Sequence, residues 1–276
     1  MNGLSFGALL FLLSSGFTLA FGMMNVVNIA HGSFYMLGSY IAFSAMSYTG
    51  IFPLAILAGA LAVFIVGILT EELLLRHFHL RDLPQILLTM GISLIISRVC
   101  LIVWGGDPLI LRAPSWLRGP IFFGDMAFPK YRIFLMGVAV IVGVVLWLLL
   151  EKSRIGSAVR ATVDDEEMAG AMKVNTRLLS TGMFGFSALL AGLAGSLGAP
   201  YIGAHPGLDF QILPLALVVV IIGGLGSLSG AALGSVFVGL IDSLGKAAFP
   251  ELSYFTIFVP MIIILAIRPR GIMGRE

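Results

Sequence analysis

Charge is scarce in this chain. Asp, Glu, Lys and Arg make up 11% of its 276 residues against 59% hydrophobic residues, and the mean hydropathy is +1.05. So little charge cannot solvate the surface of a soluble domain of this size, which points to an integral membrane protein. The net charge of +2 is too small to attract a polyanion, so no nucleic-acid partner is expected. Cysteine is nearly absent: Cys100 stands alone inside an apolar run, so no intrachain disulfide can form and the redox compartment goes unmarked. Met1-Asn2-Gly3 puts no basic residue ahead of the first apolar run, which is expected to stay as a span rather than be cleaved as a leader. Catalytic patterns are missing too. His77 and His79 form a His-x-His without further ligand-type residues at zinc-site spacing, and Gly245-Lys246 has Leu240 where a phosphate loop needs glycine. Gly224-Leu225-Gly226 joins two apolar runs rather than a strand and a helix, unlike a dinucleotide fingerprint. No bound cofactor, metal or enzymatic role is expected of this chain.

What is present is apolar length. Runs can be drawn at 4–24, 33–48, 53–74, 84–104, 132–150, 179–199, 211–224, 229–247 and 254–268. In hydrocarbon a helix satisfies its own backbone within one segment, and the short alternating strands of a barrel are not seen. The expected fold is all-α, a polytopic transmembrane helix bundle of about eight to ten membrane segments in a single domain. The runs at 33–48 and 211–224 are short enough to be half-helices or re-entrant. Gly230 and Gly234, Ser235 and Gly239, Ala188 and Gly192, and Ala191 and Gly195 are spaced to let backbones approach. With nine crossings, Arg76, Arg81, the basic residues from Lys152 to Arg177, and Arg268, Arg270 and Arg275 fall on one side. Arg112, Arg118, Lys130 and Arg132 fall on the other, so the first side is expected to be cytoplasmic.

Two of the runs follow breaks, Asn28-Ile29-Ala30-His31-Gly32 and Gly223-Gly224-Leu225-Gly226-Ser227. A faint internal repeat sets Leu37-Gly38-Ser39 against Leu233-Gly234-Ser235 and Phe52-Pro53 against Phe249-Pro250, which chance matching of glycine-rich helices explains equally well. Interrupted helices leave backbone groups that must face protein or a watery cavity, where they can bind solute. Asn25, Asn28, His31 and Ser33 at the first break, with Gly223, Gly224, Gly226 and Ser227 at the second, are the candidate substrate-path residues. The alternative is that Asn28 and His31 merely satisfy the broken backbone. Arg98 and Asp242 lie inside apolar runs, where an ion needs a partner; they are expected to pair, to snorkel, or to meet another subunit.

Ten of the 30 charged residues fall between Glu151 and Arg177. Such an island leaves the bilayer and meets something soluble. It reads as a short helix capped by Thr162 or Asp164, with Asp164, Asp165, Glu166 and Glu167 in the first turn and Lys173 and Arg177 toward the end. Met168, Ala171 and Met172 share one face, and adaptable methionines suit a groove on a partner protein; packing back on the membrane domain is the alternative. With Arg160 these residues form the candidate coupling surface, and with no ATP site in the chain the energy source is expected on another polypeptide.

Gly3-Leu4-Ser5-Phe6-Gly7 with Gly16-Phe17-Thr18-Leu19, and the segment from Asn28-Ile29-Ala30-His31-Gly32 to Gly38, form one recognisable set of stretches. Arg160-Ala161-Thr162 through Asp165-Glu166 and Ala169, Gly223-Gly224-Leu225-Gly226-Ser227-Leu228 and the tail Arg268-Pro269-Arg270-Gly271-Ile272 complete it. In this order they resemble the permease subunits of branched-chain amino acid ABC importers, in particular the smaller of the two paired permeases. Two departures are Lys173 before Val174-Asn175, where the family usually has Gly, and Ile29 where an aromatic residue is common. The resemblance implies a bacterial inner-membrane permease, in a heterodimer with a second permease subunit and surrounded by membrane lipid. It implies two cytoplasmic ATPase subunits that hydrolyse the ATP, a periplasmic solute-binding protein, and a cytoplasmic coupling loop over 151–177. Transport by alternating access would carry branched-chain or related small amino acids inward. A urea or short-chain amide permease is the closest alternative. An ion-coupled secondary transporter would need intramembrane carboxylates, of which Asp242 is nearly the only candidate, and a membrane-embedded enzyme would need a convergent catalytic set.

Overall fold

The computed structural model describes residues 1–24, 28–78, 82–123, 126–248 and 250–274. Asn25, His79, Arg81, Phe249 and Arg275 lie outside the described residues. The helices are α1 (Asn2–Met24), α2 (His31–Thr49), α3 (Phe52–Leu73), α4 (Asp82–Trp104), α5 (Lys130–Trp147), α6 (Arg154–Asp164), α7 (Glu166–Ala171), α8 (Thr176–Gly198), α9 (Leu208–Gly223), α10 (Leu228–Ala248) and α11 (Ser253–Ile267). Every expected apolar run is one of these helices, and α6 and α7 come from the charged island. A short hairpin of β1 (Pro120–Phe123) and β2 (Met126–Pro129) sits in the loop between α4 and α5. The chain reverses between α2 and α3 at Gly50, whose φ of 67° ends one helix, while Pro53 in the first turn of α3 forfeits no hydrogen bond because that N–H has no acceptor within the helix.

Among the described residues six helices, α1, α3, α4, α5 with its extension to Lys152, α8 and α10, are long and apolar enough to cross a membrane; α9 and α11 are apolar but shorter. The protein is a multi-pass membrane protein built as a helix bundle. α1 and α8 form its centre, with 78% and 61% of their apolar windows buried, whereas α4 and α5, at 28% and 17%, turn most of their surface outward. α2 is not among the six, yet His31 through Tyr40 are buried without interruption. It is surrounded by α3, α4, α8 and α9, so protein rather than lipid solvates it, and its Ser, Tyr and His residues are tolerated there.

Small residues set the close crossings, as their spacing predicts. A Cβ on Gly38 of α2 would lie 2.5 Å from the Gly192 carbonyl oxygen of α8, and one on Gly195 would overlap the Tyr35 carbonyl. The repeated stretches hold the same place in element order, a break followed by α2 and α3 in one half and by α10 and α11 in the other.

Candidate functional site

The first break builds a buried polar cluster at the N-terminus of α2. Asn28 Oδ1 accepts the Ala30 N–H at 3.0 Å, and the Asn28 carbonyl accepts the His31 N–H at 3.2 Å, so Asn28 satisfies much of the interrupted backbone. His31 Nε2 lies 3.0 Å from the Leu13 carbonyl oxygen of α1. A carbonyl only accepts, so Nε2 carries the proton and Nδ1 is left as an acceptor. Ser33 Oγ donates to Asp209 Oδ2 of α9 at 3.1 Å and lies 2.6 Å from Ser93 Oγ of α4. Asn28 Nδ2, His31 Nδ1 and Asp209 Oδ1 are buried without a hydrogen-bond partner among the described residues. Four helices therefore meet at one polar point.

The second break is clasped by the C-terminal tail. Ile272 N–H donates to the Ile222 carbonyl and Met273 N–H to the Gly223 carbonyl, both at 2.9 Å, so the tail supplies donors to the orphan carbonyls at the end of α9. Gly224 (φ 107°) and Gly271 (φ 79°) make this possible: a Cβ on Gly224 would lie 2.7 Å from Gly274 Cα, and one on Gly271 2.6 Å from the Ile221 carbonyl oxygen. Two motifs nearly 50 residues apart in the chain are thus one structural unit. Gly271→Ala is expected to cost ~2–4 kcal/mol by leaving the carbonyls of buried Ile222 and Gly223 without their donors. It should lower the thermal midpoint and speed trypsin cleavage after Arg270; unchanged cleavage would show that the clasp contributes little.

Gly226 and Ser227 remain open. They line a cavity of about 650 Å3 with Thr18 and Gly22 of α1, Trp147 of α5 and Arg160 of α6. Gly22, just before the first break, packs on the second: a Cβ there would lie 3.4 Å from Gly226 Cα. The structure thus brings part of the candidate path together with one residue of the coupling set, while Asn28, His31 and Ser33 lie deeper.

The island differs from its expected form. It is two helices: Asp165 breaks them with extended backbone and caps α7, its Oδ1 accepting the Met168 N–H at 2.9 Å. Thr162 and Asp164 belong to α6, Thr162 Oγ1 donating to the Ala158 carbonyl, and only Glu166 and Glu167 occupy the first turn of α7. Arg160 folds back, donating to the Leu150 carbonyl with Glu151 3.8 Å away. Ala169 is buried against the bundle, whereas Met168 and Met172 are 61% and 75% exposed and Ala171 is exposed beside them.

Arg98 and Asp242 do not pair. Asp242 is buried and receives a hydrogen bond from Lys246 Nζ at 2.7 Å, one turn further along α10, while Arg98 is exposed on α4, which packs mainly on α2. A cation four residues away on the same helix is always within reach, whatever the bundle arrangement. Sequence reasoning missed two buried carboxylates, Asp209 and Glu71, the latter accepting a hydrogen bond from Thr181 of α8. Glu71 was legible in principle: Gly59, Val63 and Gly67 define a buried stripe on α3 whose next position is Glu71. Asp209 falls just before the run drawn at 211–224, in the first turn of α9, where the helix dipole favours it.

Residues 1–265 match the family described as the permease component of branched-chain amino acid transport systems. The chain belongs to that family. It is 30% identical to the high-affinity branched-chain amino acid transport system permease protein BraD of Pseudomonas aeruginosa, over 100% of this chain and 94% of BraD. It is 26% identical to LivH of Escherichia coli, over 99% of this chain and 94% of LivH. Among solved structures, PsaBC from Streptococcus pneumoniae in complex with Fab matches with a TM-score of 0.50 at 12% identity, covering 96% of this chain and 89% of that one, a likeness of fold.

In this permease the departure at Lys173 has a visible consequence. α7 ends in a Schellman motif, with Val174 N–H on the Ala169 carbonyl and Lys173 N–H on the Gly170 carbonyl, and the motif forces Lys173 to a φ of 64°. It is the one non-glycine residue with positive φ among those described. Lys173→Gly is expected to stabilise the permease by ~0.5–1 kcal/mol, read as a small rise in thermal midpoint.

Proposed function

We propose that this permease is one of two membrane subunits of an ATP-driven importer that carries branched-chain or related small amino acids inward across the bacterial inner membrane. The 151–177 loop and the C-terminus face the cytoplasm in this reading. The observation that carries it is α7: a short, firmly capped helix holding Met168, Ala171 and Met172 outward, uncovered by any described part of its own chain. Separate ATPase subunits would grip that face, hydrolyse the ATP and bind the two transport states with different affinity, since equal affinity shifts no equilibrium. A push on α7 can pass to α8 through the turn at Lys173, and through α6 to the end of α5 and the first cavity. The relatives' names support the amino acid, and the binding protein is expected to present it from the periplasm. Vesicles reconstituted with the second permease, the ATPases and the binding protein should take up labelled leucine only with ATP; uptake by this chain alone would overturn the reading.

A further inference from the structure

A second cavity, about 730 Å3, lies at the far end of α5 from α6 and α7, among the starts of α1, α5 and α9 and the end of α10. That volume suits a small-molecule site. Its walls include Ile212, Leu215 and Phe258, and three charged side chains enter it, Arg132, Asp242 and Lys246. The Asp242 side chain is only 9% exposed, an expensive place for a carboxylate in a membrane protein, yet the Lys246 side chain that neutralises it at 2.7 Å is 59% exposed. A primary ammonium on a flexible stem thus sits, displaceable, on a buried carboxylate. Arg132 has no carboxylate partner among the described residues: it donates to Asn2 Oδ1 and lies 5.4 Å from the centre of the Tyr201 ring. A guanidinium so placed retains donors for a second carboxylate.

We propose that this cavity binds the solute itself, a zwitterionic α-amino acid with an aliphatic side chain. The solute ammonium replaces Lys246 Nζ on Asp242, Arg132 receives the carboxylate, and the aliphatic group lies on Ile212, Leu215 and Phe258. This rests on the transport reading and deepens it, because it places recognition of both charged ends within the permease, on the face away from the ATPases.

The test uses membrane vesicles holding the whole transporter. Ser243→Cys in a Cys100→Ala background puts one thiol of this chain in the cavity wall, read by its rate of maleimide labelling, with Ala247→Cys as a second reporter should Ser243→Cys disturb the packing on Gly3. Millimolar leucine is expected to slow labelling by about five-fold or more, while 4-methylpentanoate and 3-methylbutylamine, each lacking one charged end, leave it unchanged. Asp242→Asn or Arg132→Gln should remove the protection. Unchanged labelling in vesicles that import leucine overturns the site and leaves the transport reading standing. Protection by the acid or the amine alone overturns the zwitterion assignment, and labelling that stays slow until lipid is extracted gives the cavity to a phospholipid and overturns it as well. Protection by leucine in vesicles that import none supports the site and sinks the transport reading instead.

Discussion

Gly195→Ala is expected to prevent the permease from folding stably, with a loss of more than about 3 kcal/mol and little monodisperse protein recovered in detergent. The added Cβ would overlap the Tyr35 carbonyl oxygen, and Tyr35 Cα lies only 3.1 Å away. An overpacked longer side chain can change rotamer, but an alanine Cβ has no rotamer and Tyr35 meets it with backbone, so relief requires α2 and α8 to separate. That separation would reopen a buried seam, lined by Phe34, Tyr35, Ala191 and Ala194, and forfeit the van der Waals contacts that hold membrane helices together. Gly38→Ala on the facing helix should behave alike, since its Cβ would lie 2.7 Å from Gly192 Cα. Gly182→Ala is the control: its Cβ meets nothing within 4 Å, and helix propensity favours alanine there by up to ~1 kcal/mol. Equal thermal midpoints for Gly195→Ala and Gly182→Ala would refute the packing argument.

Reversing Glu166 and Glu167 to lysine while truncating Met168 and Met172 to alanine is expected to strip the ATPase subunits from the complex and reduce transport to background. Met172 closes α7 through its backbone, which alanine keeps, and substitutions at solvent-exposed positions change folding stability by only ~0.5 kcal/mol, so the bundle should keep its thermal midpoint. The same side chains, once buried under a partner, act as anchors, and losing two of them together with a double charge reversal should weaken binding by more than about 4 kcal/mol, roughly a thousand-fold. Asp165 is left in place because it caps α7. Assembly and transport that survive all four changes would remove α7 as the coupling contact.

Much of the bundle was legible from composition and run length because hydrocarbon makes helix formation a local affair: each segment must satisfy its own backbone, whatever its neighbours. The exposure of most of the 151–177 segment, Met168, Ala171 and Met172 included, was readable because charge density and helical spacing are properties of adjacent residues. The cap was misread as Thr162 or Asp164 because several neighbouring residues could serve. The extended backbone that divides α6 from α7 falls at Asp165. Other features waited for the tertiary structure because they depend on which helix faces which. α2, among the least apolar runs, is buried because other helices shield it from lipid. The tail that closes the second break joins groups whose complementarity appears only once α9 has ended beside Gly271. Asp242 chose Lys246 over Arg98, and Asp209 chose Ser33, 176 positions away. Sequence by itself determined that the chain is a helical membrane protein with a charged, exposed segment over 151–177, since solvent alone dictates those properties, while the order of its motifs carried the resemblance to the permeases. The burial of Asp209 and Glu71, the two cavities and the clasp on the second break were decided by packing between distant helices, a many-body choice that no single run encodes.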